Sequence, residues 1–267
     1  MGMDIATVVM AAGRGSRMKG YDGNKTLLPL VPGAGPFEGE RPILRHILDS
    51  TPAGPKAIVV HFRRKDVEAA TADMNATYCE QPELNGTGGA VLAVRDFLAE
   101  QTAEAVLVTM GDVPFVKPET YGRLLAALET HPLVVLGFQP ADRKQYGVLE
   151  IDGDRVTRIT EHKYWREYPP ERQAALSVCN AGIYAARRRV LLDYLPILES
   201  RPQIVRKERD GRMTEIREYF LTDIAEYMTD DGLSVGFALV EEEMETLGVD
   251  DPEALARAQR HYRSLTD

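Results

Sequence analysis

The run Ile5-Ala6-Thr7-Val8-Val9-Met10 is apolar almost throughout and ends on Ala11-Ala12-Gly13-Arg14-Gly15-Ser16-Arg17. Such a run has no polar face, so it reads as a strand buried on both sides, as in a parallel sheet. A sheet of that kind needs helices packed above and below it. The glycine-rich, basic stretch that follows, to about Leu28, reads as a loop. Downstream the pattern predicts helices over Pro42–Leu48, Lys65–Met74, Gly88–Leu98 and Pro118–Leu128, and strands over Ala57–His61, Ala105–Thr109 and Leu133–Phe138. This alternation places the chain in the α/β class with a mostly parallel sheet.

After residue 145 the rhythm changes. Strands over Gly147–Ile151 and Val156–Thr160 flank Asp152-Gly153-Asp154, a hairpin signal. Tyr164–Ala175 is polar and aromatic, with Pro169-Pro170, and reads as an inserted loop or short helix. A strand over Val178–Ala185 follows, then helices over Val190–Leu198, Tyr219–Met228 and Pro252–His261, with a strand over Ser234–Val240. Residues 31–41 are loop by composition. The chain shows no internal repeat.

The 32 Lys and Arg against 41 Asp and Glu give a net charge of −9 over 267 residues. That balance argues against nucleic-acid binding, which needs cations to displace phosphate counterions. An anionic small substrate would need local cations or a metal instead. The length suits one α/β domain with a single large core. The two cysteines, Cys79 and Cys179, are too few for a disulfide framework or a four-thiolate site and fit a reducing, cytoplasmic compartment. No apolar run approaches the roughly 20 residues that span a bilayer, so no membrane partner is expected. Met1-Gly2-Met3-Asp4 has no basic n-region, and Ala6 stands where an N-myristoylation start wants Ser or Thr.

Two constellations carry chemistry. Glycines directly after a buried strand let backbone N–H groups approach a phosphate chain, and Arg17 and Lys25 add fixed positive charge where a polyphosphate needs it. The spacing is neither that of a Walker loop nor that of the dinucleotide fingerprint. The second constellation, Val108-Thr109-Met110-Gly111-Asp112-Val113-Pro114, puts one carboxylate just past a buried strand, where ligands of α/β sheets gather. Asp112 there suits Mg²⁺, which takes one or two carboxylates plus substrate phosphates. It equally suits an Asp that caps a turn before Pro114.

Taken with Gln81, Gly86-Thr87-Gly88, Tyr146-Gly147, Glu161-His162-Lys163, Asn180-Ala181-Gly182, Tyr219–Asp223 and Gly248-Val249-Asp250, these motifs resemble the nucleotide-sugar pyrophosphorylases in order along nearly the whole chain. Within them the likeness is greatest to the N-acetylglucosamine-1-phosphate uridylyltransferases. The resemblance implies a Rossmann-like three-layer α/β/α sandwich and a transferase that joins an NTP, UTP or dTTP by preference, to a sugar 1-phosphate with release of pyrophosphate. It implies a nucleotide-binding part at about 1–145, a sugar-binding part at about 146–250 and a C-terminal helix at 251–267. Ala11, Ala12, Gly13 and Gly15 would hold the nucleotide, with Gln81, Gly86 and Thr87 at the base. Asp112 and Asp250 would hold Mg²⁺. Gly147, Glu161 and Asn180 would face the sugar. Arg17, Lys25 and Lys163 would act on the phosphates.

The sequence departs from the pattern at several points. Asn24 stands where a Pro usually precedes the phosphate-binding Lys, and Asp250 stands where the most similar group has Asn. Met110 replaces a common Tyr, and 31–41 and 164–177 are expanded. The chain carries no hexapeptide repeats, so the acetyltransferase β-helix of bifunctional relatives is not expected. Two alternative functions share these motifs: a cytidylyl- or guanylyltransferase acting on a non-sugar phosphate, and a non-catalytic nucleotide-sugar sensor. Three other features read as structural. Glu241-Glu242-Glu243 is expected on a solvated face, Arg187-Arg188-Arg189 at a helix start, and Trp165 in the packing of the insert or a dimer contact.

Overall fold

A computed structural model describes residues 3–209 and 212–266. The N-terminal pair Met1-Gly2 and the last residue of the expected C-terminal helix, Asp267, lie outside the described residues. The chain runs from β1 (Ile5–Met10) through the glycine-rich loop and one 3-10 turn at Lys25–Leu27. A small hairpin, β2 (Pro29–Pro32) and β3 (Gly39–Pro42), leads into α1 (Ile43–Ser50). Then come β4 (Lys56–Val60), α2 (Arg64–Ala70), β5 (Ala76–Glu80), α3 (Thr87–Leu92), α4 (Arg95–Glu100) and β6 (Ala105–Met110). The segment α5 (Pro118–Ala126) and β7 (Leu133–Phe138) precedes the hairpin β8 (Val148–Asp152) and β9 (Arg155–Thr160). Two short helices, α6 (His162–Trp165) and α7 (Pro170–Ala175), lead to β10 (Cys179–Arg187) and α8 (Arg188–Ser200). The ribbon β11 (Gln203–Arg209) and β12 (Arg212–Glu218), α9 (Asp223–Asp230), β13 (Val235–Leu239) and α10 (Pro252–Thr266) complete the chain.

Among the described residues, the central sheet has the strand order β13-β7-β10-β6-β1-β4-β5, with β8 joined to β10 and β9 to β8. The pairs β1–β4, β1–β6, β4–β5 and β13–β7 are parallel. β10 is antiparallel to both of its neighbours and to β8, so the antiparallel part enters after residue 145. Alternation along each strand separates the two faces. Ala6 and Val8 of β1, Ala57 and Val59 of β4, and Val106 and Val108 of β6 face a core closed by α3, α4, α8 and α9. Val9 and Ile58, one residue out of phase, face α1, α2 and α10. Ala105, Leu107, Val134 and Leu136 face α5. The outcome is a sheet between two helical layers.

Three expectations need correction, and two elements, β5 and the β11–β12 ribbon, have no counterpart among them. Residues 31–41 are not loop throughout, because β2 and β3 pair there, closed by Gly33 N–H to Glu38 O at 2.7 Å. Gly39, at φ +153°, lies so close to Val31 O that a Cβ would collide with it. The helix expected over Gly88–Leu98 is two helices, tightened into a 3-10 turn where Val94 N–H bonds Val91 O at 3.2 Å. The helix expected from Tyr219 starts at Asp223, because Tyr219 N–H donates to Asn85 O and its carbonyl accepts from Gly88 N–H, both at 2.8 Å. The stretch 203–218, for which no element is expected, is a two-stranded ribbon paired only with itself.

The features read as structural behave so. Arg188 opens α8 and donates to Ala103 O and Leu98 O at 2.6 and 3.0 Å. Glu241 and Glu242 pair with Arg123 and Lys117 on the surface. Trp165 is buried, and its indole N–H donates to Tyr146 O at 2.9 Å. No helix among the described residues is long and apolar enough to cross a membrane.

Candidate functional site

The parallel strands β1, β4 and β6 end on one edge of the sheet, and the loops leaving them build the site. Gly111 N–H donates to Met10 O at 2.9 Å, which ties the exit of β6 to the end of β1. A Cβ on Gly111 would lie 2.8 Å from the same carbonyl, so the close approach requires glycine. Val249 N–H donates to Asp112 O at 2.8 Å. That single bond brings the segment carrying Asp250 beside Asp112.

Asn24 anchors the glycine-rich loop. Its side chain is fully buried and donates to Ala11 O at 3.0 Å and Phe62 O at 2.9 Å. Its Oδ1 accepts from Thr26 N–H at 3.0 Å and the Thr26 hydroxyl at 2.8 Å. All three polar hydrogen-bonding groups of the amide are therefore engaged, and the next residue, Lys25, is aimed into the cleft. Gly15, at φ +61°, lies against the Lys25 stem, with a Cβ there only 3.1 Å from it.

Lys25 Nζ donates to Asp112 Oδ2 and, at 2.6 Å, to Asp250 Oδ1. Arg17 Nη2 reaches the same Asp250 oxygen at 3.0 Å. Burial pulls the Lys25 ammonium down, but Asp112 and Asp250 together outweigh it, and the group titrates above its ordinary value. Two carboxylate oxygens thus converge on one cation position, which the ammonium fills. That donor set, two carboxylates with room for phosphate oxygens, fits Mg²⁺. No group of three metal-ligating side chains occurs among the described residues.

Two cavities share Met10, Lys25, Thr87, Met110 and Asp112 as a common wall. The one toward β4, of about 290 Å³, is lined by Ala11, Ala12, Gly13, Gln81 and Gly86. A Cβ on Gly13 would meet nothing within 4 Å, so this backbone faces open space. Gln81 is buried and its amide N–H groups donate to Asn85 Oδ1 at 2.9 Å and Gly86 O at 3.1 Å. Gly86, at φ +96°, packs on Tyr219 O, and the Thr87 hydroxyl accepts from Leu221 N–H at 3.2 Å. The other cavity, of about 380 Å³, brings Arg17, Asp250, Gly147, Glu161 and Asn180 together. Asn180 N–H donates to Gly147 O at 2.8 Å. Its side chain bridges the Tyr184 hydroxyl and Gly182 N–H across a bulge in β10. Burial pushes the Glu161 carboxyl up, with Lys163 opposing and Asp223 adding to the rise.

Two expected residues lie apart. Gly15 lines neither cavity and packs against the Lys25 stem. Lys163 is not brought to the carboxylate pair; it lies over the Tyr164 ring at 4.5 Å and the Phe220 ring at 5.5 Å, in a third cavity on the far side of Glu161. Sequence reasoning missed the clasp made by Asn24, although its place before Lys25 marks it.

The sequence profile described as the MobA-like NTP transferase domain matches residues 7–190. The bifunctional protein GlmU of Cereibacter sphaeroides is 35% identical over 269 residues, covering 98% of this chain and 53% of its own length. The chain thus spans about half the length of the curated relatives it matches. Among solved structures, a Bacillus anthracis protein assigned as a glucose-1-phosphate thymidylyltransferase superposes with a TM-score of 0.70 at 20% identity, covering 97% of this chain and 95% of its own. A CMP:2-keto-3-deoxy-manno-octonic acid synthetase bound to CTP superposes with a TM-score of 0.63 at 17% identity, covering 98% and 99%. At these identities the two structures speak for the fold.

Proposed function

The chain belongs to the family of MobA-like NTP transferase domains, and from that premise we propose that it transfers a nucleoside monophosphate from an NTP to a sugar 1-phosphate, with UTP or dTTP the favoured donor. The observation that carries this reading is the convergence of Lys25 and Arg17 on Asp112 and Asp250. That cluster sits between a glycine-lined cavity and one lined by Gly147, Glu161 and Asn180.

In the proposed reaction a phosphate oxygen of the sugar 1-phosphate attacks the α-phosphorus. The bond from that phosphorus to the bridging oxygen breaks, and its electron pair leaves with pyrophosphate. A phosphate monoester with a second pKa of about 6 is already mostly ionised at neutral pH, so no protein base is required. Catalysis is then positioning and charge neutralisation. Arg17, Lys25 and the N–H groups around Gly13 act on the leaving group. Asp112 and Asp250 would hold Mg²⁺, which when bound neutralises phosphate charge. Glu161 and Asn180 take sugar hydroxyls. Lys163 would reach the acceptor phosphate only by leaving the Tyr164 and Phe220 rings.

With its N–H groups bonded to Asn85 and Gly86, Gln81 offers its carbonyl oxygen to the base. That acceptor suits the imide N–H of uracil or thymine. Cytosine carries an acceptor at that ring nitrogen and loses the bond in the same pose; a pose shifted to bring its amino group to this oxygen is the second reading, a cytidylyltransferase.

The test is release of pyrophosphate from UTP, Mg²⁺ and a panel of sugar 1-phosphates by the wild type and Asp112→Asn. The variant should fall by on the order of 10²–10³-fold while remaining folded at the assay temperature. Near-normal turnover in Asp112→Asn would remove the carboxylate from the reaction.

A further inference from the structure

Past Arg17 the cleft opens into an outer cavity of about 480 Å³, walled by Lys144, Tyr146, Asp250, Asp251 and Arg257. Its two acids are already engaged. Asp250 bonds Lys25 and Arg17, and Asp251 caps α10 by accepting from Ala254 N–H at 2.8 Å. Apart from Arg17, its cations are not. Among the described residues the Lys144 and Arg257 side chains form no hydrogen bond or ion pair, and Arg257 Nε is buried without an acceptor. Arg41 Nε and Arg95 Nε are buried without an acceptor too, but each of those guanidiniums is paired elsewhere, with Asp49 and with Glu199.

The buried Nε of Arg257 has no acceptor within the protein, and an anion in the cavity would supply one that this chain of net charge −9 does not. Arg257 is held on a rigid element, since Leu255 and Ala258 beside it are buried in the core. Lys144 sits at φ +44°, a left-handed conformation that a side-chain residue rarely adopts without cause. Its N–H donates to Asp142 Oδ1 at 2.9 Å, which holds the turn.

We propose that Arg257 and Lys144, together with Arg17, form the subsite for the terminal phosphates of the NTP and so for the departing pyrophosphate; this rests on the nucleotidyl-transfer reading above. The chemistry of the reaction gives the subsite a signature. An NTP and free pyrophosphate both carry the phosphates that leave, whereas the NDP-sugar product and the sugar 1-phosphate do not. Removing these cations should therefore weaken the first pair of ligands and spare the second.

The experiment measures both directions with Arg257→Gln and Lys144→Gln, the latter on an exposed loop where loss of folding is not a concern. In pyrophosphorolysis each variant should raise the KM for pyrophosphate about tenfold, the effect of losing one charge-assisted contact. The NTP KM should rise with it, while KM for NDP-sugar and sugar 1-phosphate stay within twofold. Calorimetry with inorganic pyrophosphate and Mg²⁺ should show the same weakening without turnover. If wild type turns over but both variants keep the pyrophosphate KM within twofold, the subsite is refuted and the transfer reading stands. Equal rises in the sugar 1-phosphate KM would also refute it. A wild type that transfers no nucleotide to any acceptor would remove the reading itself and the subsite with it.

Discussion

Lys25 Nζ lies 2.6 Å from Asp250 Oδ1 and bonds Asp112 Oδ2 as well, so one ammonium joins two carboxylates contributed by distant parts of the chain. Without it the carboxylates face each other across a partly buried gap. Lys25→Met keeps the bulk and removes the charge. It should lower stability in EDTA by about 3–5 kcal/mol, as loss of one partner of a buried ion pair does. Added MgCl2 should restore most of that loss in the variant and raise the wild type less. A Lys25→Met Tm that is the same in EDTA and in MgCl2 would contradict a shared cation position.

Gly13 and Gly86 should respond oppositely to alanine. Gly86 sits at φ +96° with its missing Cβ directed at Tyr219 O, so Gly86→Ala should cost at least about 1–3 kcal/mol in stability. A Cβ on Gly13 meets no protein atom within 4 Å. Gly13→Ala should keep the wild-type Tm and raise the NTP KM, because its methyl would occupy the space the phosphates need. Urea midpoints and NTP KM values for the two variants check this. A destabilised Gly13→Ala with unchanged KM would show that the loop glycine serves packing.

His46 gives the fold an acid-sensitive point away from the site. Burial, with the Arg41 guanidinium beside it, lowers its pKa to about 4. Its neutral ring takes a contact from Arg41 Nη2 at 3.2 Å and packs edge-on against Tyr262. The unfolded chain binds a proton at about 6.5, above the folded value, so the unfolded state carries more protons between about 4 and 6.5. Stability should therefore fall as pH drops from 6.5 toward 4 and stay level above 6.5 as far as this group is concerned. Urea midpoints at pH 7 and pH 5 should show a smaller drop for His46→Gln than for wild type. An equal drop in both would place the acid sensitivity elsewhere.

Much of this architecture was legible wherever burial leaves a periodic trace. β1, β6 and β7 are apolar runs buried on both faces, and the Asp152-Gly153-Asp154 turn announced the β8–β9 hairpin. β11 and β12 left no such trace. They pair only with each other, and Ile204 and Met213 lie exposed on them, so no core imposed alternation. β5 was equally quiet, being an edge strand of half-buried residues. At the site, Asp112 and the glycine loop were readable because each follows a strand directly. The value of Asn24 was not, since its partners Ala11 O and Phe62 O are brought to it by the sheet. The resemblance implied Lys163 at the phosphates, but it lies over two aromatic rings on the other side of Glu161.

The central claim is tested most directly by pyrophosphate release over a grid of UTP, dTTP, CTP, GTP and ATP against sugar 1-phosphates in Mg²⁺. The account predicts release that depends on the acceptor, with kcat/KM for UTP or dTTP about ten- to a hundredfold above CTP, as one buried hydrogen bond to the base would give, and with GTP disfavoured by the room its second ring needs beside Gly86 and Thr87. Gln81→Ala should flatten that preference more than it lowers the maximal rate. Release that ignores the sugar 1-phosphate, or no release with any pair, would contradict the account, and a preference for CTP or GTP would overturn its assignment of the base.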